Sequence, residues 1–106
     1  MSIDRELAEK VMGWHEEMYS WRQRGWFDDE NIWQVNVVDW HPSTDISQAF
    51  QVVEKMGDGV WWLNIKKSSD GYYVEIRKNR AVASGWAESD TLEMAICLAV
   101  LEAKGG

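Results

Sequence analysis

The feature that most constrains the fold is a β-hairpin signal centred on Asp70-Gly71. Apolar and polar side chains alternate in residues 60–67 and again in residues 72–78, which is the period-two pattern of half-buried strands. Asp-Gly is favoured in the tight turn of a hairpin because such turns need residues that tolerate positive φ. The sequence therefore predicts two antiparallel strands joined at residues 68–71.

The alternation also divides this hairpin into two faces, because successive side chains of a strand point in opposite directions. One face is apolar and is predicted to lie on the core: Trp61, Leu63, Ile65, Tyr72, Val74 and Ile76. The other face mixes aromatic with polar and charged groups: Trp62, Asn64, Lys66, Tyr73, Glu75 and Arg77.

Capping residues and apolar spacing predict the remaining elements. The last helix is apolar nearly all round, so we expect it to lie at the centre of the domain. The predicted elements are a helix over residues 3–12, capped by Ser2 and ended by Gly13; a strand over 33–39; a helix capped by Ser43 and broken at 57–59; a strand over 80–86; and a helix from the capping box Asp90-Thr91-Leu92-Glu93 to Gly105-Gly106.

The resulting order, α-β-α-β-β-β-α, predicts a single α+β domain over residues 1–106 with a small, mainly antiparallel sheet. Residues 15–31 show no clear periodicity, so no helix or strand is predicted there, and the only prediction is a turn at residues 28–31.

Composition restricts the classes of protein to consider. The chain is 45% hydrophobic and 27% charged, which is typical of a folded soluble protein. It has no apolar run of the roughly 18 residues that cross a bilayer, and its first residues lack the pattern of a signal peptide. The one cysteine, Cys97, excludes an internal disulfide and fits a reducing compartment. We therefore expect a cytoplasmic protein.

Charge narrows the expected partners. The formal net charge of −7 disfavours duplex nucleic acid and anionic membranes. Residues 1–30 hold eight acids and four bases, whereas residues 60–80 hold five bases and two acids. The sequence thus predicts a local positive site for a small anion on an otherwise acidic molecule.

Four strings in the chain resemble the phage ABA-sandwich domain family, whose members are small proteins of phages and prophages. They are Ala8–Trp14 (AEKVMGW), His41–Ile46 (HPSTDI), Phe50–Met56 (FQVVEKM) and Ala95–Cys97 (AIC). The resemblance implies a three-layer α/β/α-type sandwich, a phage origin and hence the host cytoplasm as the place of action. It implies no catalytic residues.

Catalytic and metal-binding patterns are weak. Cys97 lies among apolar residues of a predicted helix and is best interpreted as a buried structural thiol. His15 and His41 lack the spacing of a metal pair, even with Asp39 and Asp45 as added ligands. Backbone N–H groups at Ser43 and Thr44 are better explained by helix capping than by anion binding. We expect no enzyme activity, no cofactor and no metal site.

The mixed face of the hairpin has three interpretations. It lies under a helix, as the family resemblance implies; it is an interface between subunits or with a partner; or it binds a small anionic aromatic ligand. In the third case a base stacks on tryptophan or tyrosine while cations meet phosphate. The candidate ligand-binding residues are Trp62, Lys66, Tyr73, Arg77 and Arg80.

Two functional hypotheses follow. The first is a phage accessory protein that sequesters a small, nucleotide-like host signal as a counter-defence, in a site completed across a homo-oligomer. The second is a protein–protein inhibitor whose acidic, tryptophan-rich N-terminal region covers a basic surface of a host protein. The proposed contacts of this second hypothesis are Trp14, Trp21, Trp26 and Trp33.

Overall fold

The computed structural model describes residues 2–56, 61–78 and 84–104. Its helices are α1 (Ile3–Glu6), which continues as π-helix over Leu7–Val11, α2 (Ile46–Met56) and α3 (Leu92–Ala103), and a 3-10 turn covers Val37–Asp39. Its strands are β1 (His15–Ser20), β2 (Gln23–Phe27), β3 (Trp33–Asn36), β4 (Trp61–Ser68), β5 (Gly71–Lys78) and β6 (Ser84–Ser89). The predicted α+β class and sandwich are confirmed, and two strands are added to the predicted order.

The first helix begins and ends as predicted. The Ser2 hydroxyl oxygen accepts a hydrogen bond from the Arg5 N–H at 3.4 Å, which is the role of an N-cap. Gly13 has φ +74°, a conformation that glycine adopts without strain and that commonly ends helices.

The caps of the other two helices differ from the prediction. The predicted cap Ser43 is wrong, because the chain makes a further turn before α2 and the Gln48 N–H donates to Asp45 Oδ1 at 3.1 Å. Asp45 is therefore the cap. In α3 the cap is Thr91, one residue after the predicted start of the capping box, and its hydroxyl oxygen accepts from the Met94 N–H.

Residues 15–27, which had no predicted element, form the hairpin β1–β2 of an antiparallel sheet in the order β1-β2-β3. The turn at residues 28–31 is confirmed, since Asp28 Oδ1 accepts from the N–H groups of Glu30 and Ile32 at 2.9 Å each. The strand predicted over 33–39 is too long, because β3 gives way to the 3-10 turn after Asn36.

The second sheet is the predicted meander, in the order β4-β5-β6. Its first hairpin pairs Trp61 with Lys78 at one end and Ser68 with Gly71 at the turn, without a register shift. The third strand starts at Ser84 and ends at Ser89, beyond the predicted Trp86. Residues 80–83 of that predicted strand, the break at 57–59 and the glycines at 105–106 lie outside the described residues.

Helix α3 packs on the inner face of β5 and β6 and also contacts α2, so its predicted central position is confirmed. The side chains of Val74, Ile76 and Ile96 are buried in this layer. Ile65, predicted to lie on the core, is 39% exposed because α3 packs mainly on β5 and β6 and leaves the outer strand β4 uncovered at this point. No described helix is long and apolar enough to span a membrane.

A carboxylate joins the first helix to the N-terminal sheet. Glu16 Oε1 accepts from the Arg5 guanidinium at 2.6 Å, and Glu16 Oε2 accepts from Arg24 Nε. The Arg5 hydrogen bond, with a smaller contribution from Arg24, holds the pKa of Glu16 below its usual value.

This arrangement predicts that Glu16→Gln lowers stability at neutral pH and flattens its decline in acid. A carboxyl group whose pKa is depressed by folding stabilises the native state above its unfolded pKa, and that stability is lost as the pH falls through the folded pKa. Urea unfolding of both proteins between pH 3 and pH 7 measures the difference, with the exposed Glu102→Gln as control. Parallel pH profiles for Glu16→Gln and the parent chain would contradict the prediction.

Candidate functional site

The outer face of the meander carries the residues predicted to bind a ligand. Pairing across the three strands places Lys66, Tyr73 and Glu88 in one row, and Asn64, Glu75 and Trp86 in the next. A third row holds the strand positions of Trp62, Arg77 and Ser84. We call these three rows the meander outer face.

An aromatic pair lies at the middle of this face. The rings of Tyr73 and Trp86 stack with centroids 5.8 Å apart and planes 26° apart. Trp86 is 51% exposed, while Tyr73 is half-buried. The side of the indole that Tyr73 does not cover is therefore open to a planar group from solution.

Charges of both signs surround the aromatic pair. Arg77 Nε donates to Glu75 Oε2 at 2.9 Å along the same strand. Lys66 is exposed directly opposite Tyr73, and Glu88 is exposed on the other side of that row. Within the described part of this face the two cations are thus balanced by two carboxylates.

A shallow depression of about 550 Å³ adjoins the face at the hairpin turn. The Lys67 ammonium lies 5.7 Å from the ring centroid of Tyr72 at its edge. The depression is lined by lysine, tyrosine and acidic side chains and by the backbone of the turn: Lys66, Lys67, Ser68, Asp70, Gly71, Tyr72, Tyr73, Glu88, Ser89 and Asp90.

The structure brings Lys66, Tyr73 and Arg77 to one face, with Trp62 at a position of the same face by register. Arg80 lies outside the described residues. Trp86, whose face the sequence left undecided, was missed as a site residue. The pairing of Glu75 with Trp86 assigns it to this face, and that register depends on the length of the β5–β6 connection.

The weaker sequence candidates have structural roles. Cys97 is fully buried, and burial, followed by the nearby charges of Asp4 and Glu93, raises its pKa to about 12. The Ser43 N–H and hydroxyl donate to the two carboxylate oxygens of Asp4 at 2.9 and 3.0 Å, so a carboxylate of the chain already takes the Ser43 donor. In residues 2–56, 61–78 and 84–104 no three His, Cys, Asp or Glu side chains group as metal ligands.

The N-terminal tryptophans divide between core and surface. Trp26 is 1% exposed, and Trp14 packs edge-on against Trp40 with centroids 4.8 Å apart. The prediction that Trp26 contacts a partner is therefore wrong, because its side chain is buried. Trp14 is half-buried and packs against Trp40, so only part of its ring is open to a partner. Trp21 and Trp33 are 79% and 48% exposed.

The outer face of the N-terminal sheet carries an aromatic cluster of which sequence analysis named only Trp33. The rings of Tyr19 and Trp33 lie over Gly25, where a Cβ atom would stand 3.1 Å from Tyr19 and 2.9 Å from Trp33. Asn36 Oδ1 accepts from Trp33 Nε1 at 3.3 Å and from the Tyr19 hydroxyl. The Phe27 ring lies 6.2 Å from the Tyr19 ring by centroids. We call Tyr19, Phe27 and Trp33 the aromatic platform.

Comparison with known proteins gives two similarities. The model of a family described as the phage ABA sandwich domain matches residues 5–101. The crystal structure of a phage protein from Bacillus cereus ATCC 14579 superposes with a TM-score of 0.67 at 21% identity, covering 95% of this chain and 87% of that one. At this identity the likeness shows the fold alone. No curated protein matches the sequence.

Proposed function

The chain belongs to the phage ABA sandwich domain family, and we propose that it is a phage accessory protein that binds a small anionic, nucleotide-like ligand on the meander outer face. Binding is stoichiometric and non-catalytic, and it sequesters a host signal in the host cytoplasm as a counter-defence. The observation that carries the proposal is the 51% exposed Trp86, stacked on Tyr73 and lying beside cationic side chains.

The stacked pair supplies a surface for a base. Stacking on an aromatic side chain contributes about 1–3 kcal/mol per base. Tyr73 already covers one side of the Trp86 indole, which fixes the ring in place before the ligand arrives. A ring that is ordered in advance loses less conformational entropy when it binds.

The cations flank the stacking surface. The rows of Lys66 and Arg77 lie on either side of the Trp86 row, each about 7 Å away along the strands because residues of one face repeat every two positions. Across the sheet, Arg77 is one strand and Lys66 two strands from Trp86, about 5 Å and about 10 Å, so a phosphate attached to a base on Trp86 is nearer to Arg77 and meets Lys66 through the length of the lysine side chain. The carboxylates of Glu75 and Glu88 on the same face disfavour a polyanion. These charges together favour a small ligand with few phosphates.

Titration calorimetry against a panel of cyclic and linear mono- and dinucleotides tests this function. We expect one class to bind, and Trp86→Ala to weaken it about 5- to 100-fold through the lost stacking. Lys66→Ala is expected to weaken the phosphorylated ligand but not its nucleoside.

Trp21→Ala is the matched control, because it removes an exposed indole in the β1–β2 turn, which belongs to the other sheet. Light scattering of the parent chain with and without ligand measures whether a homo-oligomer completes the site. No heat with any member of the panel, or equal affinities for the parent chain and Trp86→Ala, would overturn the proposal.

A further inference from the structure

We propose that the aromatic platform of the N-terminal sheet is a second binding surface, which takes arginine-rich basic segments of a partner protein. This surface is separate from the meander outer face and does not depend on the ligand proposed there. It keeps the acidic N-terminal region and Trp33 of the second sequence hypothesis, with Tyr19 and Phe27 in place of the other three tryptophans.

The platform is exposed and rigid. Tyr19 and Trp33 are 43% and 48% exposed, although each carries enough apolar surface to be favoured in a core. Asn36 holds both rings by hydrogen bonds to one oxygen, and Gly25 lets them lie directly on the backbone. Exposed aromatic rings that are held in place are typical anchors of protein interfaces.

Charge identifies the partner. Glu17 lies opposite Gly25 on the same face and is exposed, and its Oε2 atom is within hydrogen-bond distance of His15 Nε2, at 2.8 Å. The acidic turn that follows β2, with Asp29 and Glu30 exposed, is tied to this edge because His15 Nε2 also contacts Asn31 Oδ1 at 3.2 Å. Of the two nearby arginines, Arg24 pairs with Glu16 on the inner face and Arg22 lies over the Trp21 ring at the β1–β2 turn. The negative groups beside the platform thus complement a cationic partner.

Aromatic faces select among cations. A guanidinium group stacks flat on tryptophan and tyrosine rings and is weakly hydrated, whereas an ammonium group is a strongly hydrated point charge. The chain shows the same contact internally, with the Arg22 guanidinium 4.2 Å from the ring centroid of Trp21. We therefore expect the platform to prefer arginine over lysine.

Two fluorescein-labelled peptides of equal charge, (Gly-Arg)6 and (Gly-Lys)6, test this preference by fluorescence anisotropy at physiological salt. We expect the arginine peptide to bind the parent chain about five- to tenfold more tightly than the lysine peptide, from stacking on two rings. Trp33→Ala is expected to remove most of this difference and to change binding of the lysine peptide less than twofold. Glu17→Gln is expected to weaken both peptides alike.

Trp21→Ala serves as the matched control, since it removes another exposed tryptophan side chain, one that lies outside the platform. Circular dichroism checks that each variant is folded. Equal affinity of the parent chain for both peptides would show attraction by net charge alone and overturn the proposal. It would also be overturned if Trp21→Ala acted like Trp33→Ala. Sedimentation showing a dimer that Trp33→Ala dissociates would assign the platform to a second copy of the chain instead.

Discussion

Replacing Gly85 by alanine is expected to lower the free energy of unfolding by about 3 kcal/mol, the upper part of the usual range for overpacking a core. The added Cβ atom would stand 2.3 Å from the Ala99 carbonyl oxygen and 2.4 Å from the Ala103 nitrogen. Both are backbone atoms of α3, so no side-chain rotation relieves the clash. The helix has to move away from β6, and the contacts of its buried face weaken together. Urea unfolding followed by far-UV circular dichroism measures the loss.

Two substitutions act as controls for this result. Glu88→Ala lies on the same strand but on the outer face, and surface changes of this kind usually stay within about 0.5 kcal/mol. At Gly25 the added Cβ would meet the side-chain rings of Trp33 and Tyr19 and not backbone, so the clash is relieved if these rings leave their hydrogen bonds to Asn36. Gly25→Ala is therefore expected to disturb the aromatic platform more than global stability. Equal losses at Gly85 and Gly25 would contradict the close approach of β6 to α3.

The meander was predictable because several local signals agree. Asp70-Gly71 determines the turn, and alternation then determines which side chains share a face, so Lys66, Tyr73 and Arg77 were placed together correctly. The position of Gly85 against α3 was not predictable. A glycine in a strand indicates a close approach of another group but does not identify that group.

The N-terminal sheet was missed because neither of its faces is purely apolar or purely polar. Its inner face carries the buried Trp26 next to Glu16 and Arg24, which pair with each other, and Glu16 also pairs with Arg5 of the first helix. Its outer face carries the aromatic platform. Shifts of register between Met18 and Ser20, and between Trp26 and Phe27, further break the alternation. A pattern method that expects apolar side chains inside therefore finds no strand in residues 15–27.

The two proposed surfaces share a physical basis that composition alone suggested. Eight tryptophans in 106 residues exceed what one small core needs, and the structure places Trp21, Trp33 and Trp86 largely in contact with solvent. A contiguous exposed aromatic patch, such as Trp33 with Tyr19 and Phe27, is typical of a binding surface. The two faces differ in electrostatics: Lys66 and Arg77 lie near Trp86 together with Glu75 and Glu88, whereas Glu17 lies beside Trp33. A small anion is therefore proposed for the meander outer face and a cationic segment for the aromatic platform.

The N-terminal sheet is anchored to the core through one buried indole, so Trp26→Ala is expected to destabilise the protein by about 3–5 kcal/mol, the usual cost of removing a large aromatic side chain from a core. Trp26 is 1% exposed, and the Arg5 guanidinium lies 5.2 Å from its ring centroid. The substitution removes the ring that orients Arg5 and leaves a cavity beneath the pair of Arg5 and Glu16. Urea unfolding measures the loss.

Trp26→Phe distinguishes the contribution of the aromatic ring to stability from that of the indole N–H group. Within the described residues Trp26 Nε1 is buried without a hydrogen-bond partner, an arrangement that costs about 1–3 kcal/mol. Phenylalanine keeps an aromatic face for Arg5 and removes that unpaired donor, so its loss of stability is expected to be well below that of alanine. Trp21→Ala, at a position 79% exposed, is the control and is expected to stay near the parent chain. If Trp26→Ala and Trp21→Ala unfolded at the same urea concentration, the N-terminal sheet would not be anchored through Trp26, and the rigid platform on its other face would lose its support.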